Sequence, residues 1–373
     1  MYNKRQSSFE LIRVVAMLLI VLHHSIVHGV FINNINVINE SNPLTYSLFS
    51  VLGFGGEVGV YLFVFITGYF MIYSKVTVKK IIKLWLPILF WSVILTLGLE
   101  YLQHSFSFKS AIKSFFPIIT NQYWFMTTYV FLYILIPFIN SYILRLSVKK
   151  ELWLIILGLI IFLPGHFLYG QDVWSGFTYF IIVYFFGAII RKHKLLIKNW
   201  FNHFGKIILW FALVITFVVS FSFSYLGFQF NKPKLVSYAT VLIGQTTFIC
   251  LLAAVGIFIE IGSKKIKYNK FINSIASTTF GIYLIHDNPT VREWLWTKAL
   301  HFPNLISKPA YIIFYILFVV LIIFFVCSIL EMIRKTIFSR VENKIANKSE
   351  IILKKFNQKY NNKLSEIISK ITN

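Results

Sequence analysis

Apolar runs of about twenty residues recur along this chain from residue 9 to residue 333, and that recurrence constrains the fold more than any other feature. A run of that length spans the hydrocarbon of a bilayer when coiled as an α-helix, and a helix satisfies its own backbone hydrogen bonds there. Ten such spans are read, at about 9–31, 46–73, 81–101, 122–144, 152–168, 175–190, 206–227, 236–261, 271–286 and 310–333. Composition agrees: 57% of the 373 residues are hydrophobic, leaving a soluble fold too few polar groups to cover its surface. The expected fold is an all-α polytopic membrane protein of about ten transmembrane helices. The run after Ser8 is long and lacks a small-residue cleavage site, so it reads as a retained first helix.

A net charge of +23 would suit a nucleic-acid binder, but the positions of the charges point elsewhere. With the N-terminus in the cytoplasm, the inner loops, the first eight residues and the segment from Arg334 hold twenty-six Lys/Arg, against seven in the outer loops. That asymmetry is the positive-inside pattern and sets both termini in the cytoplasm. The chain divides into a transmembrane domain, 1–333, and a basic tail, 334–373. In the tail Ile337, Val341, Ile345, Ile352, Phe356, Tyr360, Leu364 and Ile368 recur at helical spacing with lysines opposite, which suits a helix on anionic lipid. Membrane lipids are therefore expected partners and nucleic acid is not. Cys250 and Cys327 lie in separate apolar segments without metal-ligand spacing, and no metal is expected.

The first span, "FELIRVVAMLLIVLHHSIVHG", carries Glu10, Arg13, His23, His24 and His28, groups that a plain anchor omits because each is costly inside lipid. Residues eleven apart on a helix differ by about 20° in direction, so Arg13 and His24 share a face and stand about 16 Å apart along the axis. Glu10 precedes Arg13 by three and His28 follows His24 by four, completing one stripe, while His23 points about 80° away. A polar stripe of this kind faces the bundle interior, with Arg13 toward the cytoplasm and His24 in the outer half. The geometry suits a threaded ligand, its anionic end held at Arg13 and its reacting end at His24. A funnel from the cytoplasm to His24 is expected, with Arg13 on its wall.

These residues also resemble a family. "FELIRVVAMLLIVLHHS", with an acidic residue, Arg three later and His eleven beyond the Arg, is similar to the opening of the integral-membrane acyltransferase-3 family. "GGEVGVYLFVFITGYFM" looks like its second-helix pattern, with Thr67 for the usual Ser. "YWFMTTYVFLYILIPFI" and "TTFGIYLIHDNP" resemble its fourth-helix and late Tyr-Leu-x-His segments. The resemblance covers about residues 8–330. It implies an O-acyltransferase of the bacterial cytoplasmic membrane that acetylates an envelope glycan or a lipid-linked saccharide precursor. It implies acetyl-CoA as donor substrate and no permanently bound cofactor. His24 would be the general base, grouped with Glu10 as catalytic, and Arg13 would hold the acyl-CoA. Where relatives carry arginines after the second helix this chain has Lys79, Lys80 and Lys83, which attract phosphate without the bidentate fork. His28, Glu57, Trp124 and His286 are candidates for the acceptor side or for supporting the base. Trp124 also suits an interfacial anchor, and His286 with Asp287 a structural pair. The alternative function is a transporter or flippase for a lipid-linked saccharide or acyl group, which would use a charged stripe equally well. A metal-dependent glycosyltransferase is disfavoured, since the two aspartates, Asp172 and Asp287, form no Asp-x-Asp.

Overall fold

The computed structural model describes residues 6–32, 41–162, 176–243, 248–300 and 309–372. The segments read as outer, 32–45 and 169–174, the end of the fifth span and part of the eighth fall partly or wholly outside them. Among the described residues every regular element is helical and no strand occurs.

Helix α1 (Ser7–His24) continues as a π-helix over Ser25–Ile32. The Ser25 hydroxyl donates to the Leu22 carbonyl at 2.7 Å, a side-chain back-bond of the kind that loosens the regular ladder at this transition. The second span is two helices end to end, α2 (Pro43–Gly53) and α3 (Gly55–Met71). Asn42 starts α2 by accepting from the Thr45 amide, with Pro43 in the first turn, where its missing N–H costs nothing. Then follow α4 (Val78–Leu102), capped by Thr77, the short α5 (Phe108–Phe115), α6 (Trp124–Ile143), α7 (Val148–Phe162) and α8 (Gly176–Lys192). The chain continues through α9 (Asn199–Gln229), α10 (Pro233–Ser237), α11 (Phe248–Gly262), α12 (Lys270–Ala276), α13 (Thr279–His286) and α14 (Pro289–Trp294). It ends in α15 (Pro309–Thr372).

Six helical stretches among the described residues are long and apolar enough to cross a bilayer: Ser7–Ile32, Pro43–Met71, Val78–Leu102, Trp124–Ile143, Asn199–Gln229 and Tyr311–Gln358. The other four spans read from the sequence coincide with shorter helices. The ninth is broken into α12 and α13 because Ser277, Thr278 and Thr279 each turn a hydroxyl back onto the carbonyl three residues earlier.

Small residues bring the central helices together. Gly55 and Gly59, four apart on α3, lie against Leu19 and the Ala16 carbonyl of α1, the close approach that small-xxx-small spacing permits in a membrane. At one end of α1 the Ser7 hydroxyl oxygen accepts from the Asn269 amide and the Asn273 side chain, both at 2.9 Å. At its other end His24 meets His286. Helices α1 and α12–α13 therefore run side by side in one direction.

Helix α15 passes Arg334 without a break. Arg334 itself is buried, donating to both carboxylate oxygens of Glu331 at 2.8 and 2.9 Å and pairing also with Glu342. The Trp91 indole N–H donates to the same Glu331 at 2.8 Å, tying α4 to α15. Beyond it Ile337, Val341, Ile345, Ile352 and Phe356 are exposed. Tyr360, Leu364 and Ile368 have side chains outside the described set.

Candidate active site

The α1–α13 contact gathers a polar cluster at the His24 end of the bundle. His24 Nδ1 lies 2.9 Å from His286 Nε2, and His286 Nδ1 lies 2.6 Å from the Ile282 carbonyl. The carbonyl can only accept, so His286 carries its proton on Nδ1 and presents Nε2 as an acceptor. His24 must then donate from Nδ1, which leaves its Nε2 unprotonated. Assigned from the hydrogen-bond chain in this way, the tautomer of His24 is that of a base. His28 stands beside it with ring centroids 5.4 Å apart, kept on the same face by the π-helical turn.

Asp287 follows directly after α13, buried, with Oδ1 3.7 Å from His24 Nδ1 and 3.2 Å from Arg292 Nη1. At that distance it makes no hydrogen bond to the imidazole but favours a positive charge there. Asn288, fully buried, donates to the Tyr123 hydroxyl at 2.9 Å, and Tyr123 donates to the Leu284 carbonyl at 3.1 Å, bracing the chain just after His286. His24, His28 and Asp287 also offer ligand atoms within 4.8 Å of one another, a grouping absent from the linear spacing. The Arg292 guanidinium on the same carboxylate opposes a second cation at that point, so the donor set fits a metal poorly.

The other end of the stripe forms a second site. Arg13 donates to Glu10 at 2.5 Å, and the two line a cavity of about 330 Å³ with Met17, Tyr129, Thr279 and Tyr283. Glu10, grouped with His24 in the sequence reading, thus sits with Arg13, about 21 Å from His24 along the axis. The expected funnel is seen at this end alone: His24 is not among the residues that line the Arg13 cavity. Tyr283 borders both sites, lining the cavity with its ring centroid 6.2 Å from that of His286.

The remaining candidates lie around these two sites. Lys79, Lys80 and Lys83 are in the first turns of α4 and do not line the Arg13 cavity, although Leu84 does; the Lys80 ammonium donates to the Lys75 carbonyl at 2.7 Å. Glu57 is buried in the first turn of α3, beside Gly56, which packs on the His23 ring. Trp124 opens α6 and packs against Phe125 and Phe180. His23 turns away from the cluster's hydrogen bonds and meets the Gly53 carbonyl at 2.5 Å, at the α2–α3 junction. Arg292 was not singled out from the sequence; a lone arginine between two spans carries no periodic signal.

The fold and site define a class: a polytopic all-α membrane protein with a partly buried histidine cluster at one end of its first helix and an arginine-lined cavity at the other. The model of the acyltransferase-3 family, described as an acyltransferase domain, matches residues 6–330, and the chain belongs to this family of membrane acyltransferases. Neither the curated proteins nor the solved structures gave a match.

Proposed function

We propose that this acyltransferase moves an acetyl group from cytoplasmic acetyl-CoA to a hydroxyl of an envelope glycan, or of its lipid-linked precursor, at the bacterial cytoplasmic membrane. The observation that carries this reading is the Ile282–His286–His24 hydrogen-bond chain, which leaves His24 Nε2 as a proton acceptor. In the reaction His24 Nε2 takes the acceptor hydroxyl proton while that oxygen attacks the thioester carbonyl. The tetrahedral intermediate then expels the CoA thiolate, which receives the proton from the imidazolium. Asp287 offsets the charge on that imidazolium. Arg13 holds donor phosphate at the cytoplasmic end, with Lys79, Lys80 and Lys83 adding positive charge around the entrance.

The test is His24→Ala, read as transfer of labelled acetyl from acetyl-CoA to envelope glycan in membranes. Loss of a general base costs about 10²–10⁴-fold in rate. Loss of one interhelical hydrogen bond in a membrane costs about 0.6 kcal/mol on average. Normal yield with abolished transfer is the expected result. Full activity per folded molecule would end the mechanism and favour transport of a lipid-linked saccharide.

A further inference from the structure

The outer loops hold only seven Lys/Arg, and three of them converge on one cavity. Lys109 and Lys113 of α5 and Arg292 of α14 line a space of about 480 Å³ together with Thr96, Gln122 and Thr290. No carboxylate lines it. Both lysine side chains are exposed, and neither is in an ion pair among the described residues. Glu100 lies nearby, but one of its oxygens accepts from the Ser107 amide at 3.2 Å and it stays buried outside the lining. Arg292 links the cavity to the base, because the Asp287 oxygen it contacts also lies 3.7 Å from His24.

Two lysines and Arg292, the last paired with Asp287 behind the wall, form a receptor for an oxyanion together with hydroxyl and amide neighbours, with no acid in the lining. We infer that this cavity is the acceptor site and that it takes an acidic saccharide. The saccharide's phosphate or carboxylate is held between Lys109, Lys113 and Arg292, with a nearby hydroxyl directed to His24. The role assigned to the saccharide rests on the acyl-transfer reading above; the oxyanion site itself does not. It also accounts for basic residues placed where the positive-inside pattern disfavours them. The volume suits a sugar residue with its anionic substituent, within the usual range for small-ligand sites.

A reporter cysteine in place of Ser110, which lines the same cavity, reads occupancy directly in the full-length protein, since Cys250 and Cys327 are buried. The purified protein is alkylated with a neutral maleimide in the presence of inorganic pyrophosphate, sodium glucuronate or neutral glucose. The expected result is slower labelling with an anion than with glucose, and loss of that protection in Lys109→Gln/Lys113→Gln. Stronger protection by pyrophosphate assigns a phosphate; stronger protection by glucuronate assigns a carboxylate. Equal rates in all three solutions, or protection that survives loss of both lysines, overturn the site. In membranes the same double variant raises the acceptor KM about tenfold, the effect of roughly one lost charge-assisted contact, with kcat within about twofold of wild type. An unchanged acceptor KM alongside a dead His24→Ala would reject the acceptor role while leaving the base in place.

Discussion

Replacing His286 tests the tautomer argument more sharply than replacing His24, because it changes the base without removing it. In His286→Phe the ring volume stays, but His24 Nδ1–H loses the acceptor that stands 2.9 Å away. An unsatisfied buried donor costs about 1–3 kcal/mol, so His24 relaxes by moving its proton to Nε2, where the acceptor hydroxyl needs a lone pair. That penalty corresponds to a competent tautomer depleted by about 10–100-fold, since each 1.4 kcal/mol is a factor of ten. The kcat for acetyl transfer should fall by that amount, less than for His24→Ala. His286→Gln restores a carbonyl acceptor on a side chain of similar reach and should recover part of the loss. Thermal stability should change little in either variant, because one interhelical hydrogen bond contributes only about 0.6 kcal/mol in a membrane. Initial rates with labelled acetyl-CoA, normalised to folded protein, measure the effect. A His286→Phe enzyme within twofold of wild type would refute the proposed tautomer chain.

Two further variants separate donor binding from folding. Arg13→Lys keeps the charge but not the planar fork, and should raise the acetyl-CoA KM about tenfold or more if Arg13 grips a phosphate with oriented contacts; an unchanged KM would remove it from the donor site. Glu331→Gln leaves buried Arg334 with Glu342 as its remaining carboxylate partner and should lower stability by less than the ~3–5 kcal/mol of a wholly unpaired buried charge, seen as a lowered Tm in detergent with substrate KM values unchanged.

Much of the site was legible because one helix carries it. A period of 3.6 residues places Arg13, His24 and His28 on one face whatever surrounds them, and the fold keeps Arg13 on a cavity wall and both histidines in the cluster. What the sequence could not show lies in pairings across the chain. His24 and His286 are 262 positions apart, and nothing local to either announces the other. Asp287 was noticed beside His286, but its tie to Arg292 depends on the turn into α14. The break inside the ninth span was legible in principle, since three consecutive hydroxyl residues compete with a helix ladder, yet an apolar window averages them away. Arg334 read as the first charge of a basic tail because charge counting takes no account of burial; Glu331, one turn earlier, neutralises it inside the bundle.

The distance between the Arg13 cavity and His24 bears on how the two ends of the stripe work together. Arg13 and His24 are about 16 Å apart along α1, and Met17 and Tyr283, on the cavity wall, border the neck between them. Moving a charged group through that neck would strip its water with no partner to replace it, whereas an uncharged chain passes at little cost. On the proposed reaction, the donor's phosphates therefore stay at Arg13 and only its thioester-bearing arm crosses. The acceptor's charge stays at Lys109, Lys113 and Arg292 on the far side. Two separate cationic sites, one at each end of an apolar neck, allow both substrates to be anionic without bringing their charges together. His24 lies beyond the neck, where the arm would emerge and an uncharged hydroxyl would meet it.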